Sequence, residues 1–533
     1  MKSFVGFILI ALLAGSAWAM PGPPRIFYSD LESGPNTGGQ ADQGAFVTLY
    51  GKGFGANRGN STVTIGGRLA AGYPIWTDSK IAFQLGSGAQ TGKIVVTVGG
   101  QASNEVPFVV RSGRIYFVAT SGADHNSGSF SAPWRTIVKA VKSMGSGDIV
   151  YVMDGVAQAS VDDFDACLSI RSSGSKGRPK ALVAYPGARA AVGVETGTPY
   201  GLRTPDIEGG PFSYWTIAGL FLRGGNESVS MVSVSNWRLV ANDISCPNGN
   251  GVAACVEVER STNIKVLGNH IHNAGRTGAS KHYHSLYFTT DSNHIEAGWN
   301  TINDNHSCRG IQFHSSPNGS NTGFNQYDLI VHDNVIHGQV CDGINFATID
   351  PSKGPVQAYN NVIYHVGTGP DPQGDEANYA CISSPGTTNH GPHGSGTADW
   401  FNNTLYDCGS RGGENSGAFD VESGSPSVRL QNNVVYVNRG ENYLEPNTDT
   451  TRIAGNDNLW YGGGKAPAYG TASLNADPRF VDPAAFDFHL RSGSPAIHAG
   501  SCPGIATDFD GVPRPEGGAC DLGAFQSIDG ARR

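Results

Sequence analysis

The sequence predicts an all-β chain, a parallel β-helix preceded by a small antiparallel sandwich. One observation is a self-similar unit in which alternating apolar residues lead to an Asn and then to a second short apolar run. It reads WRLVANDIS, IKVLGNHIHN, IEAGWNTIND, LIVHDNVIHG, VQAYNNVIYHVG, ADWFNNTLYDCG and VRLQNNVVYVNRG between Trp237 and Trp460. The Asn falls at Asn242, Asn269, Asn300, Asn334, Asn361, Asn403 and Asn433, at intervals of 27 to 42 residues. Periods of this length without a helical pattern mean a solenoid, and the longer intervals mark loops inserted on one side. The other observation is composition: 533 residues with 74 Gly and only 15% charged residues is turn-rich and far from a disordered tail.

Each unit is too short to bury its own apolar face, so its Val, Ile, Leu and Phe must stack on the same positions of the next coil. An Asn at each bend is expected to adopt a left-handed backbone conformation and to bond to the Asn above and below. That makes the Asn column structural rather than catalytic.

In chain order, Lys2, the apolar run Phe4 to Leu13, and Ala17-Trp18-Ala19 have the order of a secretory signal over residues 1–19, so the mature chain begins near Met20. The apolar run is too short for a permanent membrane anchor, and no later one is long enough. Nine cysteines in an exported chain then read as disulfides with one left over. Aligning the coils pairs Cys308 with Cys341. Cys246 with Cys255, Cys381 with Cys408 and Cys502 with Cys520 are the other expected pairs, leaving Cys167. No Cys-x-x-Cys or clustered Cys/His spacing points to zinc.

Residues 24–111 carry alternating segments such as Phe46 to Tyr50, Val63 to Ile65 and Lys93 to Val98, divided by Gly-rich turns, as in a small sandwich. The pattern VTLYGKGFG, VTIGG and KIVVTVGGQASNEVPFVV resembles an IPT/TIG immunoglobulin-like domain. The resemblance implies a spacer or carbohydrate-binding module without a catalytic role.

Residues 113–475 are expected to form the β-helix with its N-terminal cap, an amphipathic stretch from Trp134 to Met144 covering the open end of the solenoid. Residues 476–527, with DPRFVDPAAFDFHLRSGSPAIHAG and TDFDGVPRPEGGACDLGAFQ, are the expected closing segment. Over 113–527 the chain resembles secreted right-handed parallel β-helix proteins of the pectate-lyase-like superfamily. That fold carries lyases, hydrolases, epimerases and adhesins alike, so function must come from the site.

The net charge of −9 and the lack of a basic block argue against a nucleic-acid partner. An anionic polysaccharide needs only a local cluster of Arg, Lys and His. In LYFT, IQFH and INFA the first and third residues face the core, and the second and fourth are expected to face solvent. Tyr287, Gln312 and Asn345 thus form one external column, with Thr289, His314 and Ala347 beside it. The coil before adds Glu257 and Glu259, and a later one adds Asp420 and Glu422. Just upstream, His284, Arg309 and Asp342 fall on adjacent coils, about 4.8 Å apart.

A base, a cation and a carboxylate at one edge of a polar face suit β-elimination on a uronic acid. The sugar carboxylate must be neutralised, the adjacent carbon deprotonated and the leaving oxygen protonated. The expected roles are His284 as base, Tyr287 as acid, Arg309 as neutraliser and His314 as alternative base or sugar ligand. Asp342 would orient His284 or Arg309, or ligate a metal. Lys281, Gln312, Asn345 and Glu259 are the expected substrate contacts. A bound Ca²⁺ is the alternative to Arg or Lys for that neutralisation, and the loop from Thr368 to Gly396, with Asp371, Asp375, Glu376, His390 and His393, is expected to form a groove wall or a Ca²⁺ site. Two alternatives stand: a glycoside hydrolase pairing Asp342 with Glu259 or Asp420, carboxyls about 5 to 9.5 Å apart, and a monomeric adhesive protein without turnover.

Overall fold

The computed structural model describes residues 22–527 except 208, 316–325, 373–376, 387–393, 470–471 and 516–518, so the expected signal at 1–19 lies outside the described residues. From Ile115 onward the chain winds into a parallel β-helix whose coils add strands to three sheets of 12, 12 and 9 strands. Register holds from coil to coil. In the first sheet Trp237, Ile264, Ile295, Leu329 and Val356 lie in one line. Their side chains point inward and join a single apolar core running from Tyr116 to Trp460. In the third sheet Phe288, Phe313 and Phe346 stack with ring centroids 4.9 and 5.1 Å apart. Each such pair adds about 0.5–1.5 kcal/mol to the burial of the rings themselves.

The Asn column is a hydrogen-bonded ladder, and it runs one rung further than the repeat indicated, to Asn458. Asn300 shows the pattern. Its Oδ1 accepts from the backbone and side-chain N–H groups of Asn269 at 2.9 and 3.1 Å. Its Nδ2 donates to Val266 O and to Asn334 Oδ1, both at 2.9 Å. The expected left-handed Asn is corrected. The left-handed residue is the one before, at Ala241, Gly268, Trp299, Asp333, Asn360, Asn402, Asn432 and Asp457, with φ of 51° to 62°. That residue makes the bend, and the next one is free to turn its amide inward along the stack.

The helix expected near the start covers Ile137–Ser143, capped by Thr136 Oγ1 accepting from Lys139 N, and buries Ile137, Ala140 and Val141 against the first coils. Residues 25–110 form the two sheets of a sandwich, antiparallel except where Ser33–Gly34 pairs parallel with Val109–Val110. The sandwich is docked onto the β-helix: Phe46, Phe83 and Leu49 share one apolar cluster with Tyr151, Val183, Val240 and Leu267 on the outer face of the first sheet. Arg238 Nη2 reaches across to Ser29 O at 2.8 Å.

After the last coil, Phe480, Phe488 and Phe525 pack on the flank of the stack with Val362, Tyr364 and Val434. At the end of the stack, Tyr443 and Tyr469 pack beside Trp460 instead. The four expected disulfides form, and Cys167 is free and buried. No described helix is long and apolar enough to cross a membrane.

Candidate active site on the third sheet

Strand register in the third sheet assembles one outward column across nine coils: Ser169, Arg203, Ser230, Glu257, Tyr287, Gln312, Asn345, Ser383 and Asp420. Glu259, Thr289 and His314 form a parallel column two residues on. At the corner before these strands, Gly310 N donates to Asp342 O at 3.0 Å and Ser285 N to Arg309 O at 2.9 Å, so His284, Arg309 and Asp342 stand on successive coils.

The corner geometry comes from the local sequence. Arg309 and Asp342 each sit between a Cys and a Gly-Ile pair, and Cys308–Cys341 ties the two coils. A Cβ on Gly310 would lie 2.6 Å from Gly343 O, and one on Gly343 would lie 2.7 Å from Cys381 O. Only glycine lets the backbone pass this close.

Arg309 Nε donates to Asp342 Oδ2 at 2.8 Å. Asp342 is spent on this corner: Oδ2 also accepts from Asn345 Nδ2 at 2.9 Å, and Oδ1 accepts from Ala380 N at 2.9 Å. Of the partners expected for Asp342, the structure places Arg309 on it. Asp342 orients Arg309. Burial raises its carboxyl above the ordinary value, opposed by the charge and hydrogen bond of Arg309.

Tyr287 Oη and His314 Nδ1 are 3.2 Å apart. The His284 ring stands edge-on to Tyr287 with centroids at 5.0 Å. His284 is 3% exposed, and burial followed by the nearby Arg309, His282 and His314 holds its pKa well below 6.5, so it is neutral. Its Nδ1 has no hydrogen-bond partner among the described residues. Burial pushes the Tyr287 phenol up to about 12.

The expectation that the column faces solvent is also corrected. Tyr287 is 6%, Gln312 4% and Asn345 1% exposed, and Thr289 and Ala347 are buried. These side chains leave the lumen as the alternation requires, but neighbours on adjacent coils cover them. Arg309, His314, Lys281 and Glu259 keep partial exposure at the margin. Arg309 Nη1 donates to Lys281 O at 3.3 Å, and Glu259 pairs with Arg260.

Three acceptors in the column, Gln312 Oε1, Asn345 Oδ1 and Asp420 Oδ1, are buried without a partner among the described residues. Donor-rich molecules are what such a row accommodates. In the loop proposed for Ca²⁺, Asp371 is held by Arg411 through both carboxylate oxygens at 2.9 Å. Asp375, Glu376, His390 and His393 lie outside the described residues.

The sequence reading missed one carboxyl group of weight, Glu227. Glu227 hydrogen-bonds to Glu257 on the next coil, and burial raises the pKa of both, most strongly at Glu257, where the charges of Glu227 and Glu259 add to it. Glu227 Oε2 has no partner among the described residues. Burial first, and then the charges of Glu422, Glu445 and Asp342, raises the Asp420 carboxyl well above the ordinary value. The alternation of VEVE marks Glu257 as outward, whereas Glu227 shares the parity of the core residues Val229 and Met231. Glu227 also precedes the first Asn of the ladder, where no repeat aligned it.

Residues 33–110 match the model of the IPT/TIG domain family. They form an IPT/TIG domain. No curated protein matches the chain in sequence. Among solved structures, the pectate lyase Pel9A superposes with a TM-score of 0.54 at 16% identity, covering 78% of this chain and 97% of that one. A family 28 exopolygalacturonase of Yersinia enterocolitica matches with a TM-score of 0.43 at 11% identity, covering 83% of this chain and 92% of that one. The alginate lyase of Paenibacillus sp. str. FPU-7 matches with a TM-score of 0.39 at 14% identity, covering 58% and 94%. At 16% identity the likeness to Pel9A establishes a shared fold. The IPT/TIG domain is thus followed by a parallel β-helix of the fold that the pectate lyase Pel9A has.

Proposed function

We propose that the chain is an exported, monomeric enzyme that cleaves an acidic polysaccharide by β-elimination on the third sheet. One observation carries the reading: the oriented Arg309 lies on the coil of His314, one coil from Tyr287, the hydrogen-bonded partner of His314. Arg309 neutralises the uronate carboxylate and so acidifies the proton on the neighbouring carbon. His314, at the exposed margin, accepts that proton directly or through Tyr287, and the phenol protonates the leaving oxygen. His284, neutral and buried, props the Tyr287 ring rather than serving as the base. The unpartnered Gln312 Oε1 and Asn345 Oδ1 accept sugar hydroxyls. Four disulfides fit export, since such bonds persist in oxidising compartments.

The mature chain is tested on pectate, alginate, glycosaminoglycans and bacterial exopolysaccharides, with and without Ca²⁺, following absorbance near 235 nm together with reducing ends. Both rise for a lyase. Tyr287→Phe and His314→Ala then lower kcat by about 10²–10⁴ with an unchanged melting temperature. Reducing ends without absorbance would overturn the reading in favour of hydrolysis, for which Glu227 and Glu257, hydrogen-bonded neighbours whose carboxyls burial raises, are the acid candidates. Silence in both channels, with retained affinity, would leave a binding protein.

A further inference from the structure

The outer face of the second sheet carries a separate cluster. Asp243 in strand Asp243–Cys246 lies in register with His270 in strand His270–Ala274, and His272, two residues on, projects to the same side. One donor atom from each of the three lies within 4.8 Å of the others. His272 Nε2 is 3.2 Å from Asp243 Oδ1, and His270 Nδ1 is 3.6 Å from Asp243 Oδ2. Around a tetrahedral Zn²⁺ with bonds of about 2.0–2.1 Å, ligand atoms stand roughly 3.3 Å apart. The two His–Asp distances are close to that spacing, and the third pair lies within 4.8 Å.

We propose that Asp243, His270 and His272 form a binding site for a dication of the Zn²⁺ class, on a face distinct from that of Arg309 and Tyr287. Two imidazoles and one carboxylate are the donor set of borderline transition metals, whereas Ca²⁺ takes oxygen ligands in larger number. Outer partners hold each ligand in place. Asn303 Oδ1 is 2.8 Å from His270 Nε2, which places the proton there and leaves Nδ1 free to bind. Asn273 meets His272 Nδ1 at 2.9 Å, and its amide, turned end for end, accepts that proton and frees Nε2. Arg223 holds Asp243 Oδ1, and the nearby Glu195 offsets its charge. The side chains are 47%, 18% and 31% exposed at His270, His272 and Asp243, so water reaches the fourth position. A bound ion would bridge two coils just ahead of the part of this sheet that the C-terminal segment covers.

The test uses the mature chain stripped of metal with a chelator, titrated with Zn²⁺ against a chromophoric competitor and followed by thermal unfolding. The expected result is one equivalent bound with a raised melting temperature, reversed by EDTA. In His270→Ala/His272→Ala the affinity falls at least tenfold and the thermal shift vanishes. His294→Ala, which removes an exposed imidazole paired elsewhere with Asp328, leaves both unchanged. Asp243→Asn, close in shape, serves if the double variant does not fold. Absence of stoichiometric binding to the wild-type chain, equal binding by the variants, or a shift with Ca²⁺ in place of Zn²⁺ would overturn the proposal.

Discussion

Arg309 and Asp342 hold the same position in consecutive coils, each between a Cys and a Gly-Ile pair, and their side chains meet at 2.8 Å. Asp342 is fully buried whereas Arg309 is 11% exposed, so the pair presents a cation outward on a buried anion. Removing either partner has different consequences. Arg309→Ala leaves a carboxyl that takes up a proton, so it loses turnover on uronate substrates with a modest stability loss. Asp342→Ala leaves an uncompensated guanidinium and costs about 3–5 kcal/mol in urea unfolding. Equal stability losses for the two variants would contradict this division of labour.

The Glu227–Glu257 pair sets a pH dependence of opposite sign to that of an ordinary ion pair. Both carboxyls are raised in the folded state by burial. Below the unfolded value, about 4.3, they are protonated in both states and cost nothing. As pH rises above it the unfolded chain ionises while the folded pair resists, so stability falls. Glu257→Gln should therefore match the wild type at pH 4 and unfold at higher urea at pH 8. A variant less stable at pH 8 would show that the carboxylate is held by partners instead.

Much of this architecture was legible because a solenoid writes its register into the chain. The Asn recurrence aligned Cys308 with Cys341 and Arg309 with Asp342, and both pairs meet in space. Burial was not legible in the same way. The cover over Tyr287, Gln312 and Asn345 depends on side chains from coils tens of residues away, and strand alternation reports only which side of the backbone a residue leaves. The left-handed residue before each Asn was missed because Ala241, Trp299 and Asp333 have no common chemistry. Asp243 and His270 directly follow Asn242 and Asn269, so their adjacency was implicit in the repeat, hidden by reading Cys and His spacing along the chain rather than across coils.

The ladder predicts a steep cost at its centre. Asn300 is fully buried and uses both side-chain N–H groups and its Oδ1. Asn300→Ala strips partners from Asn269, Asn334 and Val266 O and opens a polar void. Each buried group left unsatisfied costs about 1–3 kcal/mol, so the loss should exceed that of a typical core truncation. Asn300→Asp should be worse, because its carboxylate lacks the donors for Val266 O and Asn334 Oδ1. An Asp variant as stable as wild type at pH 7 would mean the ladder tolerates a mixed rung.

His332 provides a second pH test, on the interface side of the stack. Its Nδ1 lies 2.7 Å from Asp333 Oδ2 and its Nε2 3.5 Å from Glu296 Oε1, between the rings of Trp299 and Tyr359. Lys265 faces Glu296 at 2.8 Å, and Asn360 Nδ2 donates to Asp333 Oδ1 at 3.1 Å. Burial alone would lower the imidazole, but hydrogen bonds to Asp333 and Glu296 outweigh it and raise the pKa to about 9. The folded value lies above the unfolded 6.5, so the stabilisation is complete below pH 6.5 and is lost as pH climbs through 9. At 1.36 kcal/mol per unit this is on the order of 3 kcal/mol. His332→Gln should therefore lose far more stability at pH 6 than at pH 9.5 in matched urea titrations. A loss that does not change with pH would mean that ring packing on Trp299 and Tyr359, rather than charge, fixes this residue.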